Sequence, residues 1–96
     1  MAVSESAARD MAMTVFLHIT EDQEILQQFL AASGLRPGDL RAAAVRPDFA
    51  AAVLDFLLED DSRVLRAAAA MGLPPQTLMG ARTALAGPGA HGWEPD

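Results

Sequence analysis

The 96-residue chain has no cysteine, which excludes disulfides, thiolate metal sites and cysteine nucleophiles and fits a reducing compartment. Tyrosine is absent too, so four Phe must combine with Leu, Val, Ile, Met and Ala to build the interior. There is no lysine: all seven basic residues are Arg, at positions 9, 36, 41, 46, 63, 66 and 82. Against 13 acidic residues they leave a net charge of −6. That balance disfavours nucleic acid, because neutralising phosphates supplies most non-specific affinity. The longest apolar region, Phe49 to Leu58, is broken by Asp55 and falls far short of the roughly 20 residues that span a bilayer. The start, MAVSESAARD, lacks the basic opening and continuous apolar stretch of a secretory signal. The expectation is a soluble cytoplasmic protein, and Arg without Lys beside many Ala is a composition associated with GC-rich bacterial genomes.

What is present is a repeat. Residues 15–44 lie over residues 53–82 with ten identities, against about three expected from composition in so Ala- and Leu-rich a chain. Each copy holds an intact G-L-x-P-x-x-L, with Glu-Asp upstream at Glu21-Asp22 and Glu59-Asp60. Apolar residues recur at three and four throughout, and no stretch alternates with period two, so the chain reads as all-α. The expected fold is a compact bundle of five to six short helices over residues 1–86, made of two similar three-helix units (about 5–45 and 48–86). A Gly/Pro-rich tail, 87–96, is expected to be flexible and to hold His91 and Trp93; Trp93 is a candidate to dock on the bundle or a partner.

The repeated motif describes a helix corner. Gly34 and Gly72 suit the left-handed position that ends a helix, and Leu35 and Leu73 can fold back as the apolar half of that cap. Pro37 and Pro75 suit the first position of the next helix, where a missing N–H costs nothing. Leu40 and Leu78 then complete a hydrophobic staple with the leucine before the new helix. Upstream, Ser4 is the expected N-cap of a first helix ending near Ile19, and Thr20 with Gln23 a capping box opening the second. A fourth helix, Asp48 to Glu59, is apolar nearly all round, which places it at the centre. Its Leu54 and Leu58 form a second apolar edge, as do Met13 and Leu17 on the first helix. These four are the candidate interaction residues, meeting inside the monomer or facing a dimer or partner helix.

No catalytic, cofactor or metal site is expected. The acidic pairs open helices, where the N-terminal dipole already favours them. His18 is read as a partly exposed structural histidine, and no Ser elbow or Gly-rich phosphate loop is present. LRAAAAMGLPPQTLMGARTAL has helix-turn-helix-like spacing, but only Gln76 and Arg82 could address base edges.

QFLAASGLRPGDLR, FAAAVLDFLLEDD and GLPPQTLMGAR together resemble a family of short, all-helical bacterial proteins, mainly alphaproteobacterial, that form a domain of unknown function. The resemblance covers roughly residues 7 to 85 and implies a compact helical fold in the cytoplasm, with no activity, cofactor or catalytic residue attached. The chain departs from the pattern after the acidic turn, where Ser62-Arg63 and the run Ala67 to Ala70 replace bulky apolar residues. The functional expectation is a non-enzymatic module that binds another protein or self-associates, with a helix-turn-helix-like regulator as the alternative.

Overall fold

A computed structural model describes residues 3–85. Six α-helices follow one another: α1 (Glu5–Glu21), α2 (Gln23–Ser33), α3 (Leu40–Ala44), α4 (Phe49–Leu58), α5 (Asp61–Met71) and α6 (Pro75–Leu85). A 3₁₀ turn, Pro37–Asp39, leads into α3. The all-α bundle expected from the periodicity is therefore the fold observed. The tail with His91 and Trp93 lies outside the described residues.

Helix ends follow the local chemistry. Ser4 caps α1 by accepting the Ala7 N–H at 3.0 Å. Asp22 caps α2 with Oδ1, accepting the N–H groups of Glu24 and Ile25 at 3.0 and 3.2 Å. Asp60 repeats this on α5, taking those of Ser62 and Arg63 at 2.8 and 3.4 Å. The Thr20–Gln23 capping box does not form. α1 runs on to Glu21, and Thr20 Oγ1 donates back to the Leu17 carbonyl at 2.7 Å. A Thr at a helix end satisfies its hydroxyl within its own helix, leaving the cap to the carboxylate two residues on.

α1 and α4 form the centre. α1 buries Ala8, Ala12, Val15 and Ile19, and packs mainly on α6 and α4. α4 is buried on two sides through Phe49, Val53, Leu54, Phe56 and Leu57, as its near-uniform apolarity predicts. On one flank the four Phe form a single edge-on cluster: Phe16–Phe49 at 5.0 Å, Phe29–Phe56 at 5.3 Å, Phe16–Phe29 at 6.1 Å and Phe29–Phe49 at 6.2 Å. On the other, α5 and α6 bury mostly small side chains, Ala67, Ala68 and Ala81, with Val64 and Leu78.

The two corners share a left-handed glycine and a proline that opens the next segment. Gly34 has φ +76° and Gly72 φ +68°, the left-handed region expected of both. Pro37 and Pro75 each open the next helical segment. Leu35 and Leu40 pack partly buried on the core, Leu73 is half-buried and Leu78 fully enclosed. Beyond the prolines the copies part: α3 has 5 residues and α6 has 11. Gly38-Asp39 follows Pro37, and Asp39 folds back to accept the Arg36 N–H at 3.2 Å, favouring a tight 3₁₀ turn.

Candidate functional site

The four leucine and methionine candidates do not converge. Met13 and Leu17 lie on the outer flank of α1 and are exposed. Leu54 is fully buried and cannot meet a partner in this fold, so the supposed outer edge of α4 is core there. Leu58, half-buried, sits at the edge of an open groove.

That groove runs between α5 and α6 and closes against the end of α4, with a volume of about 520 Å³. Its apolar walls are Leu58, Val64, Leu65, Pro75 and Met79. Leu65 is 59% exposed and Met79 55%, high values for large apolar side chains facing one hollow. The alanines beneath explain the shape. Ala67 and Ala68 seat α5 on the core through small side chains, so Leu65, two residues before Ala67, points away from the core.

Polar groups rim the groove and are mostly occupied. The Arg82 guanidinium makes a two-pronged contact with Asp55, Nε to Oδ1 at 2.5 Å and Nη2 to Oδ2 at 3.2 Å, tying α6 to α4. Asp61, in the first turn of α5, has no ion-pair partner among the described residues. Nearby, Arg63 turns away from the groove: its guanidinium carbon lies 3.9 Å from the Phe56 ring centroid. It also donates to the Phe56 carbonyl at 2.8 Å and to Gln28 Oε1 at 3.0 Å. It thereby seals the last turn of α4 against α2.

A smaller hollow of about 350 Å³ lies between α1 and the α3–α4 junction, lined by Arg9, Met13, Val45, Arg46, Pro47 and Ala50. Both arginines there are paired with local carboxylates, Arg9 with Glu5 and Arg46 with Asp48. His18 is half-buried, with Nε2 shielded and lacking a hydrogen-bond partner. Among the described residues no group of three or more histidines and carboxylates gathers to hold a metal, and no helix is long and apolar enough to cross a membrane.

Sequence reasoning missed Leu65 and Met79, though the repeat contains the signal. Aligned by the thirty-eight-residue offset, groove residues Leu58, Leu65 and Met79 replace Thr20, Gln27 and Arg41 of the first copy, all exposed. The same surface is polar in one copy and apolar in the other, so the helix corner itself does not require the apolar residues.

The comparisons place the chain by family. A model described as a protein of unknown function (DUF3572) matches residues 5–88, and the chain belongs to that family. No curated protein and no solved structure matches it.

Proposed function

We propose that this member of the DUF3572 family is a bacterial, cytoplasmic, non-enzymatic module that works by binding another protein or a second copy of itself through the α5–α6 groove. The observation that carries the reading is the exposure of Leu65 and Met79 across one hollow, at positions where the first copy has Gln27 and Arg41. Fully burying a Leu or Met side chain contributes about 1.5–3 kcal/mol, so covering the exposed halves of this pair would add roughly 2–3 kcal/mol to an association. The missing cysteine fits a reducing cytoplasm, and Arg without Lys beside many Ala fits a GC-rich bacterial genome.

The helix-turn-helix-like alternative needs Gln76 and Arg82 to offer an open cationic face to base edges. Arg82 is instead held by Asp55, and no other charged residue lies on α6, which favours the protein-binding reading.

The test compares the wild-type chain with Leu65→Ser/Met79→Ser in affinity capture and in light scattering across a range of concentrations. The reading expects a captured protein or a concentration-dependent mass that the double variant loses while keeping its helical circular dichroism. A monomer at every concentration whose captured set is the same in both forms would sink it. Leu54→Asp is unsuitable as a control because it would break the core.

A further inference from the structure

The groove has an electrostatic direction. At its α4–α5 end the chain reads Glu59-Asp60-Asp61, and none of the three is ion-paired among the described residues. Arg63 is turned onto Phe56 and Gln28, and Arg82, on the groove wall, is paired with Asp55. The apolar trough therefore carries Asp61 on its wall, with Glu59 and the N-cap Asp60 beside it in the chain, on a protein whose net charge is −6.

Resting on the protein-binding reading above, we infer that the occupant is a basic amphipathic helix of a partner protein. Its apolar stripe would lie along Leu58, Leu65 and Met79, and its Lys or Arg residues would face Glu59 and Asp61. A helix presenting anchors at i, i+3, i+4 and i+7 fits a trough walled by two helices, which is how helix-in-groove recognition works. Charge complementarity of this kind sets orientation and association rate more than total affinity, so the acidic end should select among helices that the apolar trough alone would accept. A second copy of this chain is a poorer occupant, since two such acidic surfaces repel.

The test uses the full-length chain and fluorescein-labelled model helices, read by anisotropy. One peptide carries Leu at i, i+3, i+4 and i+7 with Lys elsewhere; a second replaces each Lys by Glu; a third replaces each Leu by Ser. The Leu/Lys helix is expected to bind at least about tenfold tighter than either control. Leu65→Ser/Met79→Ser should weaken it about tenfold or more, and Glu59→Gln/Asp61→Asn about threefold, with a shallower salt dependence.

Equal binding of the Lys and Glu helices, both lost in the Leu65/Met79 variant, would overturn the basic partner and leave the groove reading standing. Binding of the Leu/Lys helix that ignores Leu65 and Met79 would overturn both. Tight binding of the Ser/Lys helix would reduce the effect to bulk charge and overturn the inference, as would no binding at all. Two other occupants would also overturn it. A second copy would show as a mass that doubles with concentration, and the chain's own residues 86–96 as Trp93 emission shifted to the blue and released by Met79→Ser.

Discussion

The two helix corners share the letters G-L-x-P-x-x-L but close by different hydrogen bonds. At the first, the Gly34 N–H reaches the Leu30 carbonyl at 2.9 Å, and the Leu35 N–H goes to Ser33 Oγ at 3.2 Å. At the second, the Leu73 N–H reaches back to Ala68 at 2.9 Å and the Gly72 N–H to Ala69 at 3.3 Å, the doubly bonded Schellman pattern. Ser33 stands where the second copy has Met71, and its hydroxyl takes the N–H that would otherwise span the turn. A left-handed glycine fixes the reversal, while the neighbouring side chains choose the bonding and what the next segment becomes. The same contrast runs through the core: Phe29 of the first copy aligns with Ala67 of the second, and Ile25 with Arg63. At these positions α2 puts a ring and an isoleucine into the core, where α5 sits close on alanines and leaves Leu65 outside.

The comparison is broken most severely by giving the first copy the second's interior. Phe29→Ala should cost about 3–5 kcal/mol, because Phe29 meets all three other rings, and leave little folded protein in a urea titration followed by far-UV circular dichroism. Gly34→Ala and Gly72→Ala should each cost about 1–2 kcal/mol in the same titration, because both force a Cβ into the left-handed region. Nothing lies within 4 Å of the added Cβ at either site, so the two losses should be nearly equal; a clear difference would mean that the corners are not equivalent in backbone cost.

Asp22→Ala and Asp60→Ala should each remove about 1 kcal/mol, the usual worth of an N-cap, as read from the denaturation midpoint. The long, half-exposed Arg66 contact adds little on the Asp22 side. The smallest effect on stability comes from the reverse transplant. Leu65→Gln with Met79→Arg, the residues of the first copy, should shift stability by no more than about 0.5 kcal/mol while removing groove binding. A large destabilisation would make the groove a part of the core.

These positions also show why the sequence is legible in some places and opaque in others. Gly34, Pro37, Gly72 and Pro75 act through their own backbones, so their roles can be read without knowing what surrounds them. The two-sided burial of α4 was legible from its composition. Which side meets water was not, since that depends on how α1 and α6, from opposite ends of the chain, pack on α4. Thr20 misled because two good caps stood two residues apart, and only geometry decides between them. Leu65 was hidden by the ordinary periodicity of an amphipathic helix, in which its exposure depends on how close the small Ala67 and Ala68 allow α5 to approach.

The packing of α1 on α6 also has a consequence for synthesis. The helix made first has as its main neighbour the helix made last of the six. At ribosomal rates of about 5–20 residues per second, the face bearing Ala8, Ala12, Val15 and Ile19 waits several seconds for its partner to emerge. During that interval it has α2, α4 and, last, α5 to lean on. Two alanines, a valine and an isoleucine form that face, so the side of α1 that stays open longest before α6 arrives is built mostly from small side chains.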